Sequence, residues 1–293
     1  MKILVTIPAY NEEKTIGRVI ADIKQIFEIY RYNIVIQVAD DGSKDKTAII
    51  ARNLGAHVIS HKRNLGLGTT FKTEMKEALK HKPDVIVHFD ADGQYLAQDI
   101  PKLIEEIKKG YDLVLGSRFL GKIEYMPMIK RFGNRAFSIV LSNICNARIT
   151  DGQTGFRAFT PEIAKTVEIR STHTYTQEQL IRAYHQGFAV KEIPVYFAKR
   201  NGKSRLISNP FDYALKAGSN IIRIYRDYQP LKFFGFFGAG FFMAGFIIGL
   251  YLLYRFITLG RIGQLPLTML SVLLMSLGVQ IILFGFLADM QRK

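Results

Sequence analysis

Two uncharged apolar runs near the carboxyl terminus constrain this chain more than anything that precedes them. Phe233 to Tyr254 and Leu265 to Ala288 contain no Asp, Glu, Lys or Arg and are rich in Phe, Leu, Ile and Gly. A helix needs about 20 apolar residues to cross a hydrocarbon core of about 30 Å, and each run supplies them. In lipid the backbone must satisfy its own hydrogen bonds, which an isolated apolar segment achieves as a helix. The pattern predicts two transmembrane helices within a 231–293 hairpin, joined by a short link carrying Arg255 and Arg261. A buried hairpin in a soluble protein is the competing reading, and charge-free runs this long argue against it. Two spans return the chain to its starting side. The basic region before them and the Arg292-Lys293 tail predict that both termini are cytoplasmic.

The aqueous part is strongly basic. The 293 residues carry a formal net charge of +15, nearly all of it before Phe233, which favours anionic partners. The lone cysteine, Cys145, permits no internal disulfide and fits a reducing compartment. The apolar opening Ile3 to Ile7 stops at Pro8, too short for the apolar core of a signal peptide.

From Lys2 to Leu115 the chain alternates short β-rich runs with amphipathic helical ones. Strands are expected over Lys2 to Ile7, Asn33 to Ala39, Ala56 to Ser60, Val85 onward and Asp112 to Leu115. Ile16, Val19, Ile20, Ile23 and Phe27 recur at helical spacing, and Pro101 sits early in a later helix, where its missing N–H does no harm. Such alternation predicts an α/β, Rossmann-like domain with a largely parallel sheet over residues 1–208. Ligands in these folds bind beyond the carboxyl ends of the strands. Those ends carry Tyr10-Asn-Glu12, Asp40-Asp-Gly-Ser43, Asn64-Leu-Gly66 and Asp90-Ala-Asp92. The Gly66-Leu-Gly68 pair follows the third strand, not the first, and lacks the full dinucleotide fingerprint, so it is discounted as one.

Asp90 and Asp92 lie one residue apart on an extended segment, so their side chains share a face. Two carboxylates held together need a cation, and Mg²⁺ usually binds through one or two carboxylates plus substrate phosphates. An ordinary Asp-Gly turn is the alternative for the pair alone. Further on, Lys199-Arg-Asn-Gly-Lys-Ser-Arg205 is basic, hydroxyl-bearing and flexible through Gly202, which suits a diphosphate, or else a solvated loop. Residues 209–230 mix apolar side chains with Lys216, Arg223 and Arg226 directly before the first span and predict an interfacial amphipathic helix.

Six stretches in order carry a resemblance: Pro8-Ala-Tyr-Asn-Glu12, Asp40-Asp-Gly-Ser43, Asp90-Ala-Asp-Gly-Gln94, Gly116-Ser-Arg118, Thr154-Gly-Phe-Arg157 and Arg200-Asn-Gly-Lys-Ser-Arg205. Together they resemble the inverting family 2 glycosyltransferases of GT-A fold, above all the polyprenyl-phosphate and dolichyl-phosphate mannose or glucose synthases. That resemblance covers about residues 1 to 230 and implies roles. Pro8, Ala9, Tyr10, Glu12 and Asp40, with Asp41 beside it, would bind the nucleotide. Asp90, Asp92 and Gln94 would hold Mg²⁺ or Mn²⁺ against the sugar-nucleotide diphosphate. Arg200, Ser204 and Arg205 would close over that diphosphate. Arg118, Lys130, Arg131 and Arg135 are candidates for gripping the lipid phosphate.

The implied chemistry is transfer of one sugar from a GDP- or UDP-sugar to polyprenyl phosphate. A phosphate monoester is already ionised near neutral pH and needs no general base, whereas a hydroxyl acceptor does. Many hydroxyl-accepting relatives carry Thr-Glu-Asp followed by Gln-x-x-Arg-Trp. Here the comparable stretch is Thr176-Gln-Glu178, and the chain has no tryptophan. Glu178 remains able to act as a base or to position the donor, which keeps a hydroxyl acceptor open. A non-catalytic nucleotide-sugar scaffold is a third reading, against which the complete motif set argues. Nucleic acid is not expected as a partner, because the clustered carboxylates would repel its backbone. Base, sugar, prenyl length and oligomeric state are not encoded in the spacing.

Overall fold

The computed structural model describes residues 1–171, 174–199, 219, 221–260 and 264–291. Contacts divide the chain into two compact units, Met1–Ala214 and Leu215–Lys293.

The first unit is a seven-stranded sheet. Its strands are β1 (Lys2–Ala9), β2 (Asn33–Asp40), β3 (His57–Ser60), β4 (Val85–His88), β5 (Leu113–Ser117), β6 (Arg157–Phe159) and β7 (Val190–Pro194), in the order β3-β2-β1-β4-β6-β5-β7. Every pairing is parallel except those of β6, which runs antiparallel between β4 and β5. The helices are α1 (Ile16–Tyr30), α2 (Thr47–Asn53), α3 (Leu67–Lys80), α4 (Ile100–Lys108), α5 (Met128–Cys145), α6 (Pro161–Thr166) and α7 (Thr176–His185). The largely parallel α/β sheet expected from the alternating pattern is present. The short strand β6 was not expected, and β7 ends at Pro194, with Phe197 then bridging to Tyr95 and Ile123.

The local chemistry explains these elements. Ile3, Val5 and Ile7 of β1 are wholly buried, as are Val85, Ile86 and Val87 of β4, which suits strands covered on both faces. Ile16, Val19, Ile20, Ile23 and Phe27 bury one stripe of α1 against that sheet, and Arg31 ends the helix in the left-handed conformation. Pro101 lies in the first turn of α4, the position its missing N–H tolerates.

The second unit is a helical hairpin. Its helices, Pro230–Leu259 and Leu265–Met290, match the two expected spans in length and apolar composition. Gly238, Gly245 and Leu252 on one helix, and Ser271, Gly278 and Gly285 on the other, are buried at seven-residue spacing. A Cβ on Gly278 would lie 2.6 Å from the carbonyl oxygen of Gly238, so only glycine permits this approach. Ser271 Oγ donates to the Gly245 carbonyl at 2.7 Å, a side-chain bond across the two helices. The interfacial helix expected over 209–230 falls largely outside the described residues, although 221–228 are helical.

Candidate active site

The loops that follow β1, β2 and β4 converge at the carboxyl ends of adjacent strands, as parallel pairing of β2, β1 and β4 requires. The first two loops are laced together. Asn11, held at φ 54°, donates its N–H to Ser43 Oγ at 2.8 Å and accepts the Lys44 N–H on Oδ1 at 2.7 Å. Glu12 N–H donates to Thr47 Oγ1 at 2.8 Å. Pro8 and Tyr10 are half-buried beside the buried Ala9, so the expected nucleotide-binding residues share one wall with Asp40.

Asp40 and Asp41 differ in use. Asp40 is buried, and its Oδ1 accepts only the Ser43 N–H at 3.1 Å among the described bonds. Asp41 accepts from His61 Nδ1 at 2.8 Å and from the N–H groups of Leu65 and Gly66, both at 2.9 Å. Its carboxylate thus fastens the 61–66 loop, which is a structural task beside the expected nucleotide wall. Gly42, at φ +75°, lets the backbone of Arg63 pass so close that a Cβ would sit 2.5 Å from the Arg63 carbonyl carbon.

Asp90 and Asp92 follow β4, which ends at His88, and Asp92 lies in a turn and not on the extended segment the sequence pattern anticipates. Burial and the neighbouring Asp92 charge push the Asp90 carboxyl up to about 6, although His88 and Arg118 pull the other way. Asp92 Oδ1 accepts the Gln94 N–H at 3.1 Å. The oxygen donor set suits a hard divalent ion. Among the described residues no group of three or more His, Cys, Asp and Glu could enclose a metal, so this chain offers a two-carboxylate edge. Such an edge fits Mg²⁺ or Mn²⁺ that also takes diphosphate oxygens. Gln94 is buried, and its Nε2 donates to the Ala198 carbonyl at 3.0 Å, leaving its amide oxygen as a possible ligand atom. The Ala198 N–H returns a 2.7 Å bond to the Gln94 carbonyl. The chain therefore enters its basic run from beside the carboxylate pair. Arg200, Ser204 and Arg205 themselves lie outside the described residues.

A buried polar group stands behind Asp90. His88 is fully buried, with Nε2 3.2 Å from Glu74 Oε2 and Nδ1 3.0 Å from the Gly155 carbonyl. Burial opposes a charged imidazole, but Glu74 and Asp90 outweigh it and hold His88 above its ordinary value. Tyr175 Oη lies 2.9 Å from the same Nδ1 and donates to the Gly155 carbonyl at 3.3 Å. Gly155 is pressed against Asp90: a Cβ there would lie 2.5 Å from Oδ1. The motif glycine is thus the back wall of the carboxylate. His88, Glu74 and Tyr175 were not singled out from sequence. The available signal was a histidine ending the apolar run Val85-Ile-Val-His88, and Glu74 placed on the buried face of α3 with Phe71, Met75 and Ala78.

Two of the expected site residues already have partners within the fold. Arg118, expected at the lipid phosphate, is buried and forks onto Asp151, Nε to Oδ2 at 2.6 Å and Nη2 to Oδ1 at 2.7 Å. Glu192 in turn accepts the N–H groups of Thr150 and Asp151, which fixes that aspartate. The Arg118 fork is therefore spent inside the protein. Glu178, the candidate base, accepts the Arg170 N–H on both oxygens at 2.9 Å, the Ser171 N–H at 2.9 Å and Arg182 Nε at 3.1 Å. It caps the 170–171 turn. Lys130, Arg131 and Arg135 stand together on α5, with Arg131 and Arg135 exposed and the Arg135 guanidinium 5.5 Å from the Phe119 ring.

Comparison with known proteins agrees with this architecture. Residues 4–168 match the glycosyl transferase family 2 profile, and residues 212–292 match the family 2 C-terminal transmembrane region. A dolichyl-phosphate hexose transferase of Haloferax volcanii is 35% identical over 222 residues, covering 75% of this chain and 92% of its own length. A dolichol-phosphate mannosyltransferase of Pyrococcus furiosus is 33% identical over 217 residues, covering 70% of this chain and 59% of its own. Among solved structures, glucosyl-3-phosphoglycerate synthase from Mycobacterium tuberculosis, with Mn²⁺, uridine diphosphate and phosphoglyceric acid, aligns with a TM-score of 0.61. It is 18% identical, covering 76% of this chain and 77% of that one, and supports the GT-A fold. With its matched transmembrane region and two apolar helices, the chain is an integral membrane protein and belongs to glycosyl transferase family 2.

Proposed function

We propose that this glycosyltransferase moves one sugar, with inversion, from a nucleoside-diphosphate sugar to a polyprenyl phosphate at the cytoplasmic membrane face. The observation that carries the acceptor class is the commitment of Glu178 to Arg170, Ser171 and Arg182. A hydroxyl acceptor needs a base at the moment of attack, and this carboxylate is already occupied by donors. A lipid phosphate oxygen arrives ionised and can attack the anomeric carbon directly while the bond to the diphosphate breaks. The dolichyl-phosphate enzymes among the relatives, and the transmembrane region, support the same reading.

In this reading Asp90 and Asp92, with Gln94, would hold Mg²⁺ or Mn²⁺. A divalent ion there supplies charge that stabilises the departing diphosphate. Pro8, Ala9, Tyr10, Glu12 and Asp40 bind the nucleotide, and Arg200, Ser204 and Arg205 cover its diphosphate. Lys130, Arg131 and Arg135 remain the cations offered to the acceptor. Arg118 holds the floor through Asp151.

The test supplies detergent-purified protein with Mn²⁺ or Mg²⁺, polyprenyl phosphate and a panel of GDP- and UDP-sugars. Labelled sugar should pass into an acid-labile lipid only when metal is present. Asp92→Ala should lower the rate at least about 10²-fold, the scale of losing one preorganised charge-stabilising group. Label appearing instead on a diacylglycerol or oligosaccharide hydroxyl would replace this acceptor with the alternative one.

A further inference from the structure

The polar side chains of the second transmembrane helix, Leu265–Met290, are not all used inside the hairpin. Thr268 Oγ1 donates to the Gln264 carbonyl at 3.2 Å and Ser271 Oγ to the Gly245 carbonyl, so both hydroxyls are spent there. Gln280 is different. It is exposed, and none of the described residues hydrogen-bonds its amide. A helix rises 1.5 Å per residue, which puts Gln280 roughly 12 Å inside Ala288, the nearer end of the uncharged run. Its short side chain does not reach the interface from there. Water is absent at that depth, and an amide without a partner in hydrocarbon is costly.

Gln280 also stands in a pattern. Met269, Leu273, Ser276, Gln280, Leu283 and Leu287 alternate spacings of four and three residues, the repeat of a coiled-coil seam. All six are exposed. They lie on the side away from Ser271, Gly278 and Gly285, which are buried against the first helix. Apolar side chains alone would not distinguish this face, since lipid suits them as well as protein does. Ser276 and Gln280, one turn apart, do distinguish it. Every copy of the chain inserts in the same orientation, so a two-fold axis between copies runs along the membrane normal and sets this helix parallel to itself. Residue 280 then meets residue 280. A glutamine amide carries donors and an acceptor, so the two exchange a pair of hydrogen bonds, each Nε2 to the other's Oε1. A different membrane protein would have to bring its own polar group to the same depth, whereas a second copy does so by symmetry. One polar residue in an apolar seam also fixes the register.

We infer that the outer face of the second transmembrane helix pairs with the same face of a second copy of this chain, the two Gln280 amides bonding to each other inside the bilayer. This pairing is independent of the acceptor chemistry proposed above, and its test does not measure transfer.

The lone cysteine makes the test direct, because Cys145→Ser leaves a full-length background with no thiol. Ser276→Cys and Leu283→Cys then place one thiol on the seam, and Val279→Cys places one on an exposed face beside it, each with Gln280 intact. Membranes of the expressing cells are oxidised and the products separated by mass. The seam variants should form a disulfide dimer of twice the chain mass at least about fivefold more than Val279→Cys, because a disulfide needs Cα atoms within about 7 Å. Equal yields at all three positions mean random collision and overturn the inference. So does the absence of a dimer at both seam positions, or a cross-link of another mass, which would put a different protein on this face. As a second measurement, Gln280→Leu removes the amide and keeps the helix apolar. Energy transfer between labelled copies, diluted with lipid in vesicles, should show association weakened about tenfold, the scale of two interhelical amide bonds. Unchanged association in that variant overturns the pairing through Gln280.

Discussion

The ends of β4 and β5 handle charge in opposite ways. β5 runs into Arg118, which meets Asp151 through two short bonds and closes a neutral, buried pair. β4 runs into Asp90 and Asp92, two like charges whose repulsion and burial leave one carboxyl pushed up to about 6. Both stand where α/β folds bind ligands. The β5 end pairs its charge with one of opposite sign, while the β4 end sets two carboxylates side by side. Asp41 and Glu178 belong with the first kind, since backbone N–H groups and basic side chains fill them. Acid residues at a site can therefore be sorted by whether the fold has already supplied their donors.

Removing one acid from each end should change stability in opposite directions. Asp90→Asn should cut transfer at least about 10²-fold, since a charge that holds the counterion is gone. The metal-free protein should nevertheless melt higher at pH 7.5, by the equivalent of roughly 2 kcal/mol, because a carboxylate that resists ionisation has been replaced by a neutral group. Asp151→Asn should instead destabilise by about 3–5 kcal/mol, because it strands a buried guanidinium. Thermal melting in detergent, alongside transfer rates, reads both. If the two variants shift melting in the same direction, the distinction between a closed and an open end fails.

Protonation sharpens the same contrast with a smaller effect. Asp90 must be ionised to hold a cation, and its carboxyl is raised to about 6 in the absence of one. Affinity for Mn²⁺ should therefore be nearly level above pH 7 and fall as the pH drops through 6, by about tenfold per unit below it. Direct titration by electron paramagnetic resonance measures this without any turnover. Flat affinity between pH 7 and 5 would place the metal elsewhere.

How much of this could be read from the residues alone depends on range. The parallel strands were legible because apolar runs and helical stripes are local, whereas the period-two argument for Asp90 and Asp92 does not hold where β4 ends at His88 and Ala91–Asp92 turn. β6 was not legible, since Arg157–Phe159 is too short to show a period and its place between β4 and β5 is a tertiary fact. Arg118 looked like a free cation because its partner lies 33 residues on, with no periodicity linking them. Glu178 looked like a base although Arg182 stands at i+4 on α7, because the aperiodic turn that brings the Arg170 and Ser171 N–H groups to it is not written in any spacing. The apolar hairpin needed no such information, because the lipid itself dictates helices.

The smallest expected effect probes the wall behind Asp90. Tyr175 stacks on Phe71, with centroids 4.0 Å apart and planes 5° from parallel, and its hydroxyl reaches both His88 and the Gly155 carbonyl. Tyr175→Phe keeps the stack and deletes only those bonds, at a cost of about 1 kcal/mol. If the hydroxyl only props up the core, the melting point falls slightly and Mn²⁺ affinity stays unchanged. If it steadies Gly155 against the Asp90 carboxylate, Mn²⁺ affinity should weaken by about threefold, a fraction of that same kcal/mol. The apparent KM for lipid phosphate should not follow, because the acceptor side of the site shares none of these bonds. A weaker metal with an unchanged acceptor would tie this buried group to the open end of the sheet, whereas a parallel loss of both would reduce it to packing.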